Sequence, residues 1–196
     1  MSKAAPTAGF TTHGLLLRPW DPIGVPDELA ALRIALSDPE MGRWNPVQVD
    51  QEPDDARLHE WLRIRAGGWT AGTAPSWCVR DAADGRVLGH VGVREVDVRQ
   101  RSARVGYWTL PAARGARVAS RALEGATRWA FTELPVHRLE LGHGVGHLAS
   151  CRVALHCGFR LEGTLREAMP NSDGTLLDLH LHARLSSDPD QYPHRV

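Results

Sequence analysis

The segment PAARGARVAS, residues 111–120, has the composition of an anion-binding turn. An apolar, strand-like run precedes it, and a helical pattern follows it. The first N–H groups of a helix lack intrahelical partners, and the helix dipole adds about half a positive charge there. Arg114 and Arg117 add further positive charge. The segment is therefore a candidate phosphate site, although an ordinary strand-to-helix connection can have the same composition.

Ten histidines raise the question of a metal site. His180 and His182 alternate on one face of a predicted strand, whereas the glycines between His143 and His147 argue against a helix that would align those two. Zinc sites need further cysteine or carboxylate ligands at suitable spacing, and the sequence shows none beside these pairs. We therefore predict no metal. Cys151 is expected to be an inert packing residue, because no basic residue stands where it would activate the thiol.

The overall composition argues against several classes of function. Acidic and basic residues number 23 each, so no net field attracts nucleic acid. The three cysteines lack C-x-x-C spacing, and the sequence has neither a run of about 18 apolar residues nor the apolar core of a signal peptide. We expect a cytoplasmic protein with no nucleic-acid or membrane partner. Lys3 is the only lysine, and such a bias towards arginine is typical of a GC-rich bacterial genome.

Hydrophobic periodicity predicts the elements that would position the candidate residues. Alternation indicates strands at 13–20, 77–80, 87–96, 102–110, 137–145, 159–169 and 175–185. Helical spacing indicates helices at 29–36, 54–68, 118–134 and 148–157. The polar ends, 1–12 and 186–196, are predicted to be loose tails. Residues 1–196 are thus expected to form a single domain with its core at about 13–185.

Turn and capping residues predict how these elements end and connect. The first helix should end near Pro39, and Gly67-Gly68 should stop the second, which Asp54 or Asp55 can cap. Asp84-Gly85 predicts a hairpin and therefore antiparallel neighbours. Helices that stand singly between later strands imply crossovers, so the sheet is predicted to be mixed and the fold α/β.

Longer phrases of the sequence resemble a known enzyme family. Residues 114–119, RGARVA, stand in register with the Q/R-x-x-G-x-G/A pattern of the GNAT acyltransferase superfamily. LLLRPW, VGYWTLPAARG, RWAFTELPVHRLEL and ASCRVALHCGFRLEGTLRE resemble its RimJ/RimL-like branch of N-acetyltransferases, in order and spacing, over about residues 15–185. The resemblance implies the GNAT fold, a twisted mixed sheet of about six to seven strands with about four helices, splayed between its fourth and fifth strands, 104–110 and 137–143.

The same resemblance implies acetyl-coenzyme A as the co-substrate, bound in the splay. The pantetheine arm would follow the backbone of Trp108, Thr109 and Leu110, and His147, in place of the usual asparagine, would contact it. The pyrophosphate would lie on the amides of Arg114, Gly115, Ala116, Arg117, Val118 and Ala119.

The resemblance also implies catalytic roles. Ser150 would protonate the leaving thiolate, because Ala154 stands where many GNAT enzymes use tyrosine for this step. The alternative is that its hydroxyl only caps the helix. Arg104 occupies the place of the glutamate usually proposed as the general base, and a guanidinium cannot accept a proton at neutral pH. The remaining candidates for the base are His143, Glu95 and His147.

Two further positions have alternative interpretations. Arg117 replaces the usual central glycine of the turn. A positive φ there would cost about 1 kcal/mol, whereas a helical φ would let the guanidinium contact phosphate. Trp44 and Trp69 adjoin loops in the half of the chain where the family builds its acceptor pocket, so we expect them to line it; core packing is the alternative.

Two functions from different classes are consistent with these features. The first is an N-acetyltransferase in which a primary amine, on a protein N-terminus or a small molecule, directly attacks acetyl-coenzyme A. The second is a GNAT-fold binding or regulatory protein with weakened or changed coenzyme A binding, which Arg104, Arg117 and His147 favour. The resemblance is compatible with a homodimer.

Overall fold

The computed structural model describes residues 9–45, 53–171 and 173–189, which are organised around one mixed sheet. The strands are β1 (Phe10–Thr12), β2 (Leu15–Pro19), β3 (Ser76–Asp81), β4 (Val87–Asp97), β5 (Ser102–Thr109), β6 (Arg138–Gly144), β7 (Arg160–Pro170) and β8 (Leu176–Leu185). The α-helices are α1 (Pro26–Leu36), α2 (Pro39–Trp44), α3 (Asp55–Ala71), α4 (Val118–Glu133) and α5 (Leu148–His156). A 3₁₀ turn, Pro111–Ala113, follows β5.

The strands lie in the order β1-β2-β3-β4-β5-β6-β8-β7. All neighbours are antiparallel except β5 and β6, which are joined through α4 and run parallel. The predicted mixed α/β fold is therefore confirmed, with one strand and one helix more than expected among the described residues.

The parallel pair β5–β6 stays together only at its start. Register partners are Ser102 with Arg138, Ala103 with Leu139 and Arg104 with Glu140. Beyond Arg104, β5 continues to Thr109 without a partner on that side among the described residues. The predicted splay is confirmed, and it leaves a row of unpaired backbone groups along one edge of β5.

Each face of the sheet carries its own hydrophobic core. Strand alternation places Trp77 in the core that includes α4, and the next residue, Cys78, in the core that includes α1 and α3. The apolar side of α4, including Leu123 and Ala126, is buried against β4 and β5. Among the described residues, no helix combines the length and the apolar character needed to cross a membrane.

The prediction of a loose N-terminal tail is wrong for residues 10–12. They form β1, which pairs antiparallel with β2. The ring of Phe10 lies edge-on to Trp77, 5.7 Å between centroids, so burial of an aromatic side chain compensates for ordering the backbone. The prediction of a loose C-terminal tail is wrong for residues 186–189, since the N–H of Ser186 donates to the carbonyl oxygen of His137 at 2.8 Å. The tail positions 1–8 and 190–196 lie outside the described residues.

The first helix ends at Leu36, near Pro39 as predicted, but the stop predicted for the second helix is wrong. Pro39 begins a new helix, α2, because the Asp38 side chain accepts a hydrogen bond from the N–H of Glu40 and proline suits the first helical position. Gly67 and Gly68 do not stop α3, which continues to Ala71. A Cβ on Gly68 would lie 2.8 Å from the Cβ of Ala74, so that glycine permits close packing instead.

A buried ion cluster fastens α1 to the sheet. Glu28 is fully buried and accepts hydrogen bonds from Arg18 at 2.5 Å and from Arg80 at 2.8 Å. Arg80 also bonds Asp27 at 2.5 Å, and this hydrogen bond lowers the pKa of Asp27. Charges removed from water are tolerated only while they remain paired.

Replacement of Glu28 therefore tests the cluster. Glu28→Ala should lower the free energy of unfolding by about 3 kcal/mol, because the buried guanidinium of Arg80 would lose one of its two carboxylate partners and keep only Asp27. The measurement is urea denaturation followed by circular dichroism. Glu60→Ala is the matched control, since Glu60 pairs with Arg63 on an exposed helix surface, and its denaturation midpoint should stay unchanged. Equal midpoints for the two variants would contradict the buried role.

Candidate active site

A cleft of about 770 Å³ opens where β5 and β6 part. Side chains from α2, the second half of β5, the turn after it, the start of α4 and helix α5 line this cleft. The predicted site residues that line it are Trp44, Trp108, Thr109, Arg114, Gly115, Arg117, Val118, Ala119, His147 and Ser150. Those that do not line it are Leu110, Ala116, His143, Glu95 and Trp69.

The turn into α4 contains two left-handed residues. Gly115 has φ 80°, and Arg117, the N-cap of α4, has φ 55° and ψ 23°. The alternative of a helical φ at Arg117 is therefore wrong, and the conformation costs about 1 kcal/mol relative to glycine. The N-cap supplies no side-chain acceptor to the first turn of α4. Those N–H groups, which face the cleft end, are available to an anion.

The two arginines of the turn have different surroundings. Arg114 forms an ion pair with Asp38, the N-cap of α2, so this contact joins the turn to the opposite wall of the cleft. Arg117 is exposed, and its guanidinium makes no hydrogen bond or ion pair within the described part of the chain. Asp38 therefore partly neutralises Arg114, whereas Arg117 keeps its charge for a ligand.

Ser150 and Tyr107 form a hydroxyl pair in the cleft. Ser150 lies in the first turn of α5, and its Oγ is 2.8 Å from the hydroxyl oxygen of Tyr107 on β5. His147 is the N-cap of α5, so the alternative that Ser150 only caps the helix is wrong. Burial raises the pKa of Tyr107, and the phenol therefore stays protonated at neutral pH. The pair can donate a proton to a group in the cleft.

An aromatic stack closes the α2 side of the cleft. The rings of Trp44 and His147 are nearly parallel, 5° apart in orientation, with 4.5 Å between centroids. Burial lowers the pKa of His147 to about 4, so the ring is neutral at pH 7. Neutral imidazole retains one hydrogen-bond donor and one acceptor for a bound group.

The other predicted residues lie elsewhere. Glu95 is at a bulge of β4, held between Arg94 at 2.5 Å and Arg104 at 3.1 Å. Arg104 also approaches Glu140 at 3.6 Å, at the base of the splay. Trp69 packs edge-on to Trp77 in the core, 5.3 Å between centroids. The structure therefore does not bring Glu95 or Trp69 to the cleft.

His143 lies outside the cleft, in a group of possible metal ligands. Its side chain, with those of His180, His182 and Cys151, offers ligand atoms that all lie within 4.8 Å of one another. Burial lowers the pKa of His143 and that of His182. Cys151 of α5, which the sequence analysis treated as an inert packing residue, supplies the fourth possible ligand atom, so the group needs no carboxylate.

Sequence reasoning missed Tyr107 and Asp38. Tyr107 could have been found from alternation, because Trp108 packs with the core on one face and the preceding residue must point to the other, towards α5. Asp38 had no such signal, since it lies 76 residues from its partner Arg114.

Comparison with known proteins supports the family suggested by this geometry. A model described as "Acetyltransferase (GNAT) domain" matches residues 15–160. The putative ribosomal N-acetyltransferase YdaF of Bacillus subtilis is 29% identical over 86 residues, 44% of this chain and 47% of that protein. The probable N-acetyltransferase YjcK of the same organism is 31% identical over 112 residues, 56% of this chain and 61% of that protein. The matches thus span about half to three fifths of these relatives.

Solved structures have the same fold. RimL, a ribosomal L7/L12 alpha-N-protein acetyltransferase in complex with coenzyme A, aligns with a TM-score of 0.78 and 19% identity, covering 89% of this chain and 95% of that one. The microcin C7 self-immunity acetyltransferase MccE, in complex with acetyl-CoA and AMP, aligns with a TM-score of 0.75 and 18% identity, covering 88% and 93%. At such identities the likeness shows the fold alone. Together with the domain match over most of its length, it establishes that the chain belongs to the GNAT acetyltransferase family.

Proposed function

We propose that this protein transfers an acetyl group from acetyl-coenzyme A to a primary amine. The observation that carries the proposal is the cleft itself. One wall is the unpaired edge of β5, one end is the uncapped start of α4, and the Tyr107–Ser150 pair lies between them. An extended, amide-containing ligand with a diphosphate at one end fits these features.

The cofactor would be held by backbone groups at its middle and by charge at its end. Pantetheine amides would pair with the free edge at Trp108 and Thr109, as an added strand does. The pyrophosphate would accept hydrogen bonds from the first N–H groups of α4. Arg117 would add a charge-assisted contact in spite of its left-handed φ, because it lines the cleft with its guanidinium unpaired among the described residues. A match of the cleft to coenzyme A is consistent with the coenzyme A and acetyl-CoA complexes of the structural neighbours.

The hydroxyl pair would serve the leaving group. The amine nitrogen attacks the thioester carbonyl, so a nitrogen–carbon bond forms and the carbon–sulfur bond then breaks. Ser150 gives its proton to the departing thiolate, the Tyr107 hydroxyl passes its proton to the Ser150 oxygen, and the proton that the amine loses returns to Tyr107 through solvent, so both hydroxyls end as they began. Tyr107 thereby replaces, from β5, the hydroxyl that Ala154 cannot supply from α5.

The acceptor is proposed to be an α-amino group rather than a lysine side chain. Arg104, ion-paired with Glu95, occupies the position of the expected base. Without a strong base, only the neutral fraction of the amine reacts. An α-amino group with a pKa of about 8 is substantially neutral near pH 7.5, whereas a lysine with a pKa of about 10.4 is almost entirely charged.

The second candidate function is coenzyme A binding without transfer. The ion pair of Arg104 with Glu95 favours it. Arg104, at the usual position of the base, cannot accept a proton, and Glu95, another candidate for the base, is held in the ion pair. Binding and turnover measurements separate the two functions.

Arg117 variants test the cofactor site. By calorimetry with acetyl-coenzyme A, Arg117→Ala and Arg117→Gly should both bind about 10-fold more weakly, because each loses the contact to phosphate. Arg117→Gly should nevertheless be about 1 kcal/mol more stable than Arg117→Ala in urea, since only glycine accepts this φ without strain. Tighter binding by Arg117→Gly than by the unmodified protein would instead mean that the side chain obstructs the cleft.

Loss of the hydroxyl pair tests the chemical step. In an assay of thiol release, Ser150→Ala should lower kcat by about 100-fold or more, and Tyr107→Phe by a smaller factor, because the thiolate loses its proton donor. Thr70→Ala is the control: among the described residues its hydroxyl donates only to the carbonyl oxygen of Ala66, on the exposed side of α3, and its rate should not change. An unchanged kcat in Ser150→Ala would refute the assigned acid. Cofactor binding with no thiol release from any amine would favour the second function.

The acceptor proposal predicts a selectivity between two peptides. At pH 7.5, a peptide with a free N-terminus and no lysine should react about 100-fold or more faster than an N-terminally blocked peptide that contains one lysine, as the neutral fractions require. Mass spectrometry of the products identifies the acetylated amine. Preferential acetylation of the lysine would show that a base operates in the cleft.

A further inference from the structure

The group of three histidines and one cysteine beneath α5 is separate from the cleft. His143 comes from β6, His180 and His182 from β8, and Cys151 from α5. None of the four lines the cleft. Their four ligand atoms lie within 4.8 Å of one another.

The sheet register brings the histidines together. His143 and His180 are directly opposite in the antiparallel β6–β8 pair, so their side chains emerge on the same face. His182 is two residues further along β8 and shares that face. Cys151 on helix α5 brings its sulfur to the three rings.

The hydrogen bonds of His143 and His182 leave no hydrogen between their two Nε2 atoms. His143 Nδ1 lies 3.0 Å from the carbonyl oxygen of Gly144, and His182 Nδ1 lies 3.2 Å from that of Phe159. Carbonyl oxygens only accept, so both Nδ1 atoms must donate. The two Nε2 atoms face each other at 3.2 Å, and in two neutral rings neither has a hydrogen left for that contact. Two lone pairs at this distance repel unless a cation lies between them.

His180, beside these two rings, has a buried ring nitrogen, Nδ1, that lacks a hydrogen-bond partner among the described residues. Its ring centroid is 5.4 Å from that of His143 and 6.3 Å from that of His182. Buried polar atoms are nearly always satisfied in native proteins, so an unsatisfied nitrogen beside two facing lone pairs indicates an absent ligand.

We propose that His143, His180, His182 and Cys151 bind one zinc ion. In a tetrahedral site, zinc–nitrogen bonds of about 2.0 Å place two ligand nitrogens about 3.3 Å apart. The observed Nε2–Nε2 distance of 3.2 Å matches this value. The backbone carbonyls that accept from the Nδ1 atoms orient the rings as outer-shell partners of zinc-bound histidines do. This proposal reverses the expectation of no metal that the sequence spacing suggested.

The chemistry of the donors selects the ion. Imidazole and thiolate together suit zinc, whereas magnesium and calcium prefer oxygen ligands. On binding, the S–H bond of Cys151 breaks, a zinc–sulfur bond forms, and the proton passes to solvent. All four positions would be occupied by protein, so the ion would be structural and would join α5 to β6 and β8.

The site would also hold the proposed active site in place. Cys151 follows Ser150 in the first turn of α5, so an ion bound to Cys151 would fix the position of the hydroxyl pair. Only this consequence rests on the proposed function. Zinc binding itself is measured without any acetyl transfer, so the two proposals can fail separately.

The test is a metal titration of the full chain after removal of metals with a chelator. One equivalent of zinc per chain should bind, release about one proton and raise the Tm by several degrees. Cobalt(II), used as a spectroscopic probe, should give the strong visible absorption of a four-coordinate ion and a thiolate-to-cobalt band in the near ultraviolet.

Variants locate the ion. Cys151→Ser should abolish the thiolate-to-cobalt band, and His180→Asn should weaken zinc binding more than about 10-fold, the least that even an outer-shell change usually costs. His59→Asn, which alters an exposed histidine on α3, is the control and should bind as the unmodified chain does. Circular dichroism of the metal-free variants checks that they fold. The cobalt spectrum of the unmodified chain tests the proposal even if a variant does not fold.

Three outcomes would overturn the proposal. One is an absence of stoichiometric zinc binding by the unmodified chain. Another is a cobalt complex without a thiolate band. The third is zinc binding that is unchanged in both Cys151→Ser and His180→Asn, which would place the ion elsewhere.

Discussion

The separation of two parallel strands is the constraint on which the rest of this molecule depends. β5 and β6 pair over Ser102–Arg138, Ala103–Leu139 and Arg104–Glu140 and then part. A strand edge with unpaired N–H and C=O groups usually costs stability or invites aggregation. Here it is enclosed by α2, α4 and α5, so the edge faces a cleft of about 770 Å³ instead of another chain. Because the strands part, the turn before α4 and the first residues of α4 line this cleft.

Because side chains alternate along β5 and β6, neighbouring residues of these strands contact different groups on the two faces of the sheet. Trp108 joins the core beneath α1 and α3, whereas Tyr107 faces α5 and reaches Ser150. On β6, His143 points to the side of α5, whereas a side chain at the next position, Gly144, would meet Trp44. Helix α5 therefore has two neighbours: its Ser150 faces the cleft, and the following residue, Cys151, faces the histidines of β6 and β8. A shift of α5 would disturb both groups together.

Much of the fold follows from local patterns. Period-two alternation predicted the long strands, and helical spacing predicted α1, α3, α4 and α5, because burial of one face leaves a direct mark on the sequence. The errors arose where one residue type has two uses. Pro39 follows the end of α1 as expected but also begins α2, which was not predicted, and Gly68 permits close packing where it was expected to stop a helix. Strand β1 was missed because three residues are too few to show alternation, and its register is set by Phe10 against Trp77.

By itself, the sequence determined the family pattern, the strand–turn–helix frame and the position of Ser150 in a helix after the fifth predicted strand, which is β6 in the structure. Only the tertiary structure decided which distant groups meet: Arg114 with Asp38 across 76 residues, Tyr107 with Ser150 across 43, and His143 with His182 across 39. It also decided the left-handed φ of Arg117, which two alternatives had left open. The reason is physical: periodicity records which face of an element is buried, whereas the partner on that face depends on strand register and helix packing, which many residues settle together.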